Sequence, residues 1–312
     1  MMVEKLRTRP PYLWGKSRFI GDHCPMAARM IKLALEEDIG SGDVTTDAII
    51  DPDLKGEAYL IAREELVLAG MAVFKSVFLE VGPGTEFEEY YGDGDLIPPD
   101  TRVCLIRGRL TSILRGERTA LNFLQRMSGI ATLTRRYVER VRPAKVRILD
   151  TRKTAPGLRW FDKYAVRMGG GANHRFGLSD GILIKDNHIA AAGSISEALR
   201  LAKRNAPHTL KIEVEVEDLA GVEEACRGGA DAILLDNMGP EELRKAVELV
   251  DGAAMTEASG GITLDTVEDI ARTGVDMISV GALTHSARAA DFSLEISTNI
   301  DKAAKRRKIH KK

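Results

Sequence analysis

The segment KIEVEVEDLAGVEEACRGGADAILLDN, residues 211–237, contains two short apolar runs separated by a helical pattern. The runs KIEVEV and AILLDN have the length and composition of buried strands. The residues between them, LAGVEEACRGGA, have the apolar spacing of an amphipathic helix. Strands that alternate with helices form parallel sheets, so this segment predicts one strand–helix–strand unit.

The same alternation continues on both sides of this segment. Further apolar runs begin at residues 146, 181, 253 and 276, and helical patterns begin at 194, 240 and 263. Six strands at this spacing predict a closed or nearly closed α/β barrel. A doubly wound open sheet is the alternative, but no GxGxxG motif follows the first strand, which disfavours it.

The residues before the barrel predict a smaller, mixed α/β domain. Apolar spacing predicts a helix from Pro25 to Glu37, and turn and capping residues follow it over 38–50. Strand-like runs lie between 56 and 110, with a helix at 70–82 between them. A long helical pattern covers 116–141, and Gly129 is a point at which this helix can bend or divide.

The composition excludes several classes of protein. The formal net charge is −1, so no global charge favours binding to nucleic acid or to a membrane surface. No apolar run reaches about 18 residues, and the first twenty residues lack the apolar core of a signal peptide. Cys24, Cys104 and Cys226 lie far apart and form no CxxC pair, which favours a reducing cytoplasm over a disulfide framework or a zinc site.

Polar residues follow nearly every predicted strand of the barrel. The active site of an α/β barrel lies at the C-terminal ends of its strands, so these residues are the candidates for function. In chain order they are Asp150, Thr151, Arg152 and Lys153; Lys185, Asp186, Asn187 and His188; Glu215; Asp236 and Asn237; Glu257, Ser259, Gly260 and Gly261; and Gly281. One charged strand end is commonly only an exit to solvent, but six successive polar ends favour a binding site.

Positive charge is concentrated in one part of the chain. Residues 111–190 contain 16 Lys and Arg against 6 Asp and Glu, a net of 16 − 6 = +10. Many of these cations fall in predicted loops, and Arg118 can join them from the long helix; the loop cations are Arg152, Lys153, His174, Arg175 and Lys185. Guanidinium groups bind carboxylates and phosphates in a bidentate manner, so the cluster predicts a small ligand with several negative charges.

Acidic and small residues complete the predicted site. Glu215 and Asp236 end neighbouring strands and can hold Mg²⁺ directly or through water. Ser259, Gly260 and Gly261, together with Gly281, follow the last two strands, where barrels commonly bind phosphate. The glycine run at 169–171 precedes His174 and Arg175, and we interpret it as backbone that gives the chain a close path rather than as a phosphate loop.

Two other functions fit parts of this pattern. Lys185 at a strand end could form a Schiff base, as in an aldolase, and trapping with borohydride would reveal it. The basic segment could bind nucleic acid, but aromatic residues are only 5% of the chain and the cations lie among glycine-rich loops. A polyanionic small molecule fits the cluster better than either.

At these residues the sequence resembles the quinolinate phosphoribosyltransferase family, also called nicotinate-nucleotide pyrophosphorylase (carboxylating). The matching segments span roughly residues 25–295 in the family's order: GSGDVTTDAI, GERTALNFLQRMSGIAT, LDTRKTAPGLRWFDKYAVRMGGGANHRFGLSDGILIKDNHI, IEVEVED, ILLDN, EASGGI and ISVGALTHSA. A molybdenum-associated paralogous group shares some of these motifs, but the unbroken GGGANHR and IKDNHI favour the quinolinate enzymes. The acidic motif of the commoner phosphoribosyltransferases is absent, and this family does not carry it.

The resemblance implies a fold, a domain organisation and a reaction. The expected fold is an incomplete α/β barrel of six or seven strands over residues 126–284, plus an N-terminal α/β sandwich domain over 23–125 that 285–300 join. Residues 1–22 and 301–312 would be an N-terminal extension and a basic tail. The expected activity, in NAD biosynthesis, is that of a pentosyltransferase: it transfers phosphoribosyl from phosphoribosyl pyrophosphate to quinolinate, with Mg²⁺, and releases pyrophosphate, carbon dioxide and nicotinate mononucleotide.

The resemblance also implies a role for each candidate residue. Arg118 would reach into the neighbouring subunit of a homodimer, which can assemble further into a hexamer. The expected quinolinate site comprises Thr151, Arg152, His174, Arg175 and Lys185 with that Arg118. The expected phosphoribosyl pyrophosphate site comprises Lys153, Glu215, Asp236, Ser259, Gly260, Gly261 and Gly281. Lys153, Lys185, Glu215 and Asp236 would be catalytic, and Glu215 and Asp236 would face the magnesium.

Overall fold

A computed structural model describes residues 24–142 and 144–297. The predicted extension at 1–22 and the predicted tail at 301–312 lie outside these residues, as does the end of the joining segment 285–300. In chain order the first elements are α1 (Pro25–Ile39), α2 (Val44–Ile49), β1 (Lys55–Ala62), β2 (Leu66–Val67), α3 (Met71–Val81), β3 (Glu86–Glu89), β4 (Leu96–Ile97), β5 (Thr101–Arg109) and α4 (Leu110–Arg140). The remaining elements are β6 (Arg147–Leu149), α5 (Arg159–Met168), β7 (Ile182–Ile184), α6 (Asp186–Ala192), α7 (Ile195–Asn205), β8 (Ile212–Val216), α8 (Leu219–Arg227), β9 (Ala232–Asp236), α9 (Pro240–Val250), β10 (Met255–Ser259), α10 (Val267–Ala271), β11 (Met277–Ser279), α11 (Ala282–His285) and β12 (Phe292–Ser297).

The N-terminal part contains an antiparallel sheet covered by helices. Over the described residues its strand order is β12-β1-β5-β3, so a strand from the far end of the chain pairs with β1. Leu60 of β1 lies opposite Leu294 on one side and Cys104 on the other. Phe74 and Phe78 of α3 are fully buried and α3 packs along α4, which places an apolar layer under the sheet.

The long helix α4 is continuous, so the expectation that Gly129 divides it is wrong, while a bend at Gly129 stays a prediction. The helix also begins six residues earlier than the pattern at 116 indicates, at Leu110. The structure gives Gly129 a role in packing. A Cβ at this position would lie 2.0 Å from the carbonyl oxygen of Arg288, so the helix and the 288–290 segment touch through their backbones. The predicted domain boundary at 125–126 falls inside α4 and stays a prediction.

The second part is the predicted α/β barrel, and it is not closed. Within the described residues its parallel strands have the order β6-β11-β10-β9-β8-β7, which leaves β6 and β7 as free edges. Ala172 forms a single parallel bridge with Leu149 of β6, so the glycine-rich segment lies against this edge. The six apolar runs of the sequence are these six strands, and the prediction of an incomplete barrel with an N-terminal α/β domain is confirmed.

The strand β8 shows why the interior of the barrel is polar. Ile212, Val214 and Val216 are buried, and α7 and α8 pack on this strand. Successive side chains of a strand point to opposite faces, so Glu213 and Glu215 both point away from these helices. The alternation therefore brings two carboxylates to the side of the sheet opposite the helix-covered core.

Four helices of the described residues were not predicted, namely α2, α5, α6 and α11. The segment expected to hold turn and capping residues contains α2, and the residue before this helix, Asp43, caps it by accepting the backbone N–H of Thr46 on its side chain at 3.0 Å. The helix α5 has no side-chain cap at Leu158, and it lies inside a segment whose polar motifs obscure its apolar stripe. Phe161, Ala165 and Val166 form that stripe and are buried.

Candidate active site

The ends of neighbouring barrel strands bring several predicted residues to one edge of the sheet. Asp236 at the end of β9 lies opposite Ser259 at the end of β10. Glu215 of β8 lies opposite Leu234, two residues before Asp236. The strand register thus places Glu215, Asp236 and Ser259 along one line of strand ends, as the barrel prediction requires.

The loop after β6 carries Thr151, Arg152 and Lys153 and is held from two sides. The hydroxyl of Thr151 accepts the backbone N–H of Lys153 at 3.0 Å. The hydroxyl of Thr284 donates to the carbonyl of Lys153 at 2.9 Å. Arg152 and Lys153 are exposed, so the loop has a fixed backbone and presents two cations to solvent.

A buried ion pair holds the backbone of His174. Lys163 and Asp150 form this pair, and their side chains are 4% and 0% exposed. Asp150 accepts the backbone N–H of His174 at 3.0 Å, and Lys163 donates to the carbonyl of His174 at 3.1 Å. Asn173 donates both to Asp150 and, at 2.9 Å, to the carbonyl of Lys163. Burial raises the pKa of Asp150 and lowers the pKa of Lys163, against the attraction between them.

The imidazole of His174 contacts two carboxylates of the barrel interior. Its Nε2 lies 3.0 Å from Oε2 of Glu213 and 3.8 Å from Oε1 of Glu257. Its Nδ1 accepts the backbone N–H of Arg175 at 2.8 Å. Burial lowers the pKa of His174, but the hydrogen bond to Glu213 and the charges of Glu257 and Glu213 outweigh it, so the pKa is raised overall. Because the Arg175 N–H occupies Nδ1 and opposes a second proton, we assign the neutral tautomer with its proton on Nε2.

Glu257 is the most perturbed carboxyl group of this cluster. Only 1% of the residue is exposed, and burial together with the charge of Glu213 raises its pKa to about 7. The nearby His174 and a hydrogen bond from Ser279 oppose this rise. Two carboxylates that share a buried site cannot easily both ionise, so this pair retains a proton near neutral pH.

Arg175 has a buried donor without an acceptor. Its Nη1 donates to the carbonyl of Gly181 at 3.0 Å, whereas its Nε is buried and has no hydrogen-bond partner among the described residues. Burial and the charge of Arg152 lower the pKa of Arg175 from its very high usual value, and a guanidinium remains charged in proteins. A buried, charged N–H without an acceptor is suited to an anionic ligand.

Lys185 and Glu215 form an ion pair across the ends of β7 and β8. Lys185 also precedes the first residue of α6, where its backbone N–H donates to Nδ1 of His188 at 3.0 Å. Asp236 accepts the side-chain amide of Asn237 at 2.8 Å. Glu215 and Asp236 are therefore held in place while each offers a second oxygen, which is the ligand type that Mg²⁺ prefers.

The glycines at the ends of the last two strands have neighbours so close that a larger side chain would collide with them. Gly260 has a φ of 97°, and a Cβ there would lie 2.2 Å from Oδ1 of Asn237. Gly281 packs beside Lys153, whose Cδ would lie 3.1 Å from a Cβ at that position. The structure therefore brings Lys153 next to Gly281, and the loop of Ser259, Gly260 and Gly261 next to Asn237.

The glycine run before His174 makes close contacts with the long helix. A Cβ at Gly169 would lie 2.5 Å from the carbonyl oxygen of Ala131, and one at Gly171 would lie 2.8 Å from Cγ2 of Thr134. Gly170 has a φ of 93°, in the left-handed region. These glycines let the chain pass from α5 to the edge of β6, which brings His174 into the barrel.

Arg118 differs from the other predicted site residues because it lies in neither a strand end nor a barrel loop. It is exposed on α4, in the part of this helix that approaches α2 through the Arg115–Asp47 ion pair. No ion pair involving Arg118 occurs within residues 24–142 and 144–297. Its side chain is therefore available to a ligand or to a second subunit.

Sequence reasoning missed Glu213 and Lys163 and assigned no role to Glu257. The alternation of IEVEV could have revealed Glu213, because it places Glu213 on the same face as Glu215. No pattern in the sequence indicates that Lys163, inside α5, pairs with Asp150 across 13 residues. Arg126 was also missed, although it forms two 2.8 Å hydrogen bonds with the fully buried Asp162, which in turn approaches the backbone N–H of Ala155 in the Lys153 loop.

His174, Glu213 and Glu257 lie close enough for a metal ion, since their ligand atoms are all within 4.8 Å of one another. The hydrogen bond to Nδ1 argues against a metal at this place. A metal on Nε2 would require the ring proton to move to Nδ1, where it would face the N–H of Arg175. We therefore treat these three residues as a hydrogen-bonded cluster. 

Comparisons with known proteins agree with the fold and identify the family. The domain described as "Quinolinate phosphoribosyl transferase, N-terminal domain" matches residues 43–128, and the corresponding C-terminal domain matches residues 130–295. Quinolinate phosphoribosyltransferase (decarboxylating) 1b of Nicotiana tabacum is 45% identical over 290 residues, covering 87% of this chain and 82% of that protein. Across the described residues, no helix has both the length and the apolar character needed to cross a membrane.

Solved structures give the same result. NadC from Streptococcus pyogenes is 45% identical with a TM-score of 0.84, covering 86% of this chain and 95% of that chain. The nicotinate-nucleotide pyrophosphorylase from Francisella tularensis is 40% identical with a TM-score of 0.84, covering 88% of this chain and 96% of that chain. Since family models match both halves of the chain, and relatives at 40–45% identity share its fold, this protein belongs to the quinolinate phosphoribosyltransferase family.

Proposed function

We propose that this protein transfers phosphoribosyl from phosphoribosyl pyrophosphate to quinolinate and decarboxylates the product to nicotinate mononucleotide, a step in NAD biosynthesis. The observation that carries the proposal is the buried Nε of Arg175, which has no acceptor among the described residues and lies near the cation Arg152. Quinolinate has two adjacent carboxylates and supplies such acceptors. The family membership of the chain supports the same reaction.

The quinolinate site is formed by cations that come from three loops. Arg175 and Arg152 are close enough for the charge of one to lower the pKa of the other, so a dianion between them relieves repulsion. Thr151, His174 and Lys185 complete this side of the pocket in our proposal, and Arg118 completes it from a second subunit. Arginine is the preferred partner here because its planar group binds a carboxylate through two parallel hydrogen bonds.

The phosphoribosyl pyrophosphate site lies at the ends of β8 to β11. Ser259, Gly260, Gly261 and Gly281 bind the 5′-phosphate, because small residues let backbone N–H groups approach its oxygens. Lys153 lies beside Gly281 and contacts the pyrophosphate. Glu215 and Asp236 hold Mg²⁺ directly or through water, and when bound this ion neutralises the charge of the pyrophosphate.

In the first step the ring nitrogen of quinolinate attacks C1 of the ribose. The N–C1 bond forms as the bond from C1 to pyrophosphate oxygen breaks, and pyrophosphate departs with the bonding electron pair. Lys153 stabilises the leaving charge, and the carboxylates of Glu215 and Asp236 stabilise the positive charge on the ribose; Lys185 orients Glu215 through their ion pair. Preorganised charges of this kind are worth several kcal/mol in a transition state, and alignment of the two substrates adds to them.

In the second step the positively charged ring nitrogen acts as the electron sink. The bond between C2 and its carboxylate breaks, carbon dioxide leaves, and the electron pair left on C2 takes a proton from water. Arg152 and Arg175 keep the other carboxylate in place during this step. No covalent intermediate on the enzyme is needed.

We further propose a homodimer, or a hexamer assembled from such dimers, in a reducing cytoplasm. The exposed position of Arg118 supports a site that a second subunit completes. Cys24, Cys104 and Cys226 are all free, as expected for a reducing compartment.

The proposal is tested by incubating the protein with quinolinate, phosphoribosyl pyrophosphate and Mg²⁺ and detecting products by mass spectrometry. We expect nicotinate mononucleotide, pyrophosphate and carbon dioxide in equal amounts, and no product after the metal is chelated. Nicotinate, which lacks the second carboxylate, is the control substrate. Equal turnover of nicotinate would contradict the proposal.

An aldolase using Lys185 is disfavoured because an ammonium paired with Glu215 is a poor nucleophile.

A further inference from the structure

Glu257 of β10 has a buried carboxyl group that the proposed reaction does not use. It is 1% exposed, and within the described part of the chain its Oε1 has no hydrogen-bond partner. This oxygen lies 3.8 Å from Nε2 of His174. Leaving a buried polar atom unsatisfied is unfavourable, and leaving a buried charge unsatisfied is more so. The burial of the Glu257 carboxyl group must therefore be compensated by an interaction.

The hydrogen bonds of His174 determine where its ring proton lies. Nδ1 accepts the N–H of Arg175 at 2.8 Å, so the neutral ring carries its proton on Nε2. That proton is donated to Oε2 of Glu213 at 3.0 Å. Glu213 is therefore the acceptor of this hydrogen bond.

The carboxyl group of Glu257 gains a hydrogen-bond partner when Glu257, rather than Glu213, carries the proton. A protonated carboxyl group is a donor, and the side chains of Glu257 and Glu213 are hydrogen-bonded to each other. The hydroxyl of Ser279 donates to the remaining acceptor of Glu257. Hydrogen bonds then run from Ser279 through Glu257, Glu213 and His174 to the backbone of Arg175, and each buried group in the series is satisfied.

We infer that Glu257 is a positioning residue, which acts through Glu213 to hold the imidazole of His174 in its Nε2–H tautomer and thereby to fix the backbone of Arg175. The Asp150–Lys163 pair holds the backbone of His174 from the opposite side, so the ring is the part that Glu257 and Glu213 must fix. The effect on substrate binding rests on the proposed function, in which Arg175 binds quinolinate. The tautomer of His174 does not depend on that function.

Two substitutions separate this role from simple packing. Glu257→Gln keeps the shape and a neutral group that can donate to Glu213 and accept from Ser279. Glu257→Leu fills the space but removes both hydrogen bonds, so Glu213 loses its donor and the ring of His174 is no longer held in one orientation. Glu86→Leu, at an exposed position in β3, is the matched control for replacing Glu by Leu in a strand.

The first measurement is the ¹H–¹⁵N spectrum of the histidine rings at pH 7, with His174 assigned by its loss in His174→Asn. We expect the Nε2–H tautomer in the wild type, in Glu257→Gln and in Glu86→Leu, and a mixture of tautomers in Glu257→Leu. An Nδ1–H or doubly protonated His174 in the wild type overturns the inference, as does an unchanged spectrum in Glu257→Leu.

The second measurement compares KM for the two substrates. In Glu257→Leu we expect KM for quinolinate to rise about tenfold or more, because small displacements of a binding group are costly, while KM for phosphoribosyl pyrophosphate stays unchanged. Glu257→Gln restores the wild-type KM. A parallel rise for both substrates overturns the inference. If Glu257→Leu does not fold, the tautomer of His174 in the wild type still tests the inference. A comparison of Glu257→Gln with Glu257→Asp tests it as well, because the shorter side chain of Asp loses contact with Glu213. Absence of any quinolinate turnover in the wild type contradicts the proposed function instead, and the ring spectrum then tests Glu257 alone.

Discussion

At the scale of single residues, the site is a set of charges whose partners are incomplete in this chain. Arg175 keeps a buried Nε without an acceptor among the described residues, and Glu257 keeps a raised pKa. Both conditions cost stability, because a buried donor without an acceptor and a carboxyl in an apolar, negatively charged environment are each unfavourable. Such groups are common at functional sites, where ligand binding compensates for the cost.

Replacing Arg175 by Ala removes the buried guanidinium. We expect KM for quinolinate to rise about 10- to 100-fold, the range for loss of charge-assisted hydrogen bonds, while the melting temperature stays close to that of the wild type. Steady-state kinetics with each substrate varied in turn measure this. Arg272→Ala is the control, since Arg272 is exposed and, among the described residues, forms ion pairs with Glu268 and Asp269 of α10. Normal quinolinate affinity in Arg175→Ala would sink the residue assignment.

Glu257 also predicts a dependence of stability on pH. Its pKa is raised from 4.5 to about 7, so the folded state binds a proton that the unfolded state has already lost in that interval. Stability from this group is full below the unfolded pKa and decreases as pH rises towards 7, by up to about 3 kcal/mol. In Glu257→Gln the decrease should be smaller. Urea midpoints from pH 5 to 8 measure it, and identical pH profiles for the two proteins would contradict the prediction.

At the scale of elements, α4 links the two parts of the molecule. This helix packs on α3 and on strands of the antiparallel sheet, and it also contacts α5 and β6 of the barrel. The contact at Gly129 is between backbones, which brings the 288–290 segment and hence β12 against the helix. Glycine is unfavourable inside a helix by about 1 kcal/mol, so its presence here is explained by the tertiary contact.

Replacing Gly129 by Ala should therefore destabilise the protein, although Ala is the better helix former. The new Cβ would meet the carbonyl oxygen of Arg288 at 2.0 Å, and backbone cannot move aside as a side chain does. We expect a net loss of about 1–3 kcal/mol, seen as a lower melting temperature. Gly84→Ala is the matched control, because no atom lies within 4 Å of a Cβ there. A gain in stability in Gly129→Ala would show that the contact is not formed.

At the scale of the whole molecule, the active site depends on the incomplete closure of the barrel. Since β6 and β7 do not pair, the segment from Gly169 to Arg175 can pass along the edge of β6 and enter the interior. Arg118 is exposed on a helix outside the strand ends. In the proposed homodimer, Arg118 of one subunit completes the site of the other.

A shared site can be tested with mixed dimers. Arg118→Ala and Lys153→Ala should each be nearly inactive, but a hybrid dimer contains one site with both residues intact. After subunit exchange we expect about a quarter of the wild-type activity, since half of the dimers are hybrids with one working site each. Mixing Lys153→Ala with Arg175→Ala is the control and should give no recovery. No recovery with Arg118→Ala, despite demonstrated exchange, would argue against a shared site.

The sequence by itself determined the six strands of the barrel and the helices α7 to α10, because the alternation of apolar strands and amphipathic helices repeats with each unit. It also placed Arg152, Lys185, Glu215 and Asp236 at strand ends, since a polar residue after a buried run marks the end of a strand. The helix α5 was missed, because its apolar stripe is interrupted by charged residues that are now seen to be buried, namely Asp162 and Lys163.

Only the tertiary structure decided which charges meet. Asp150 and Lys163 are 13 residues apart, His174 and Glu213 are 39 apart, and Gly129 touches Arg288 across much of the chain. The periodicity of a sequence records which face of an element is apolar, and it contains no information on which polar groups of distant elements share a buried space. Hydrogen bonding and desolvation, which set the tautomer of His174 and the pKa of Glu257, act over a few ångströms and therefore exist only once the barrel has formed.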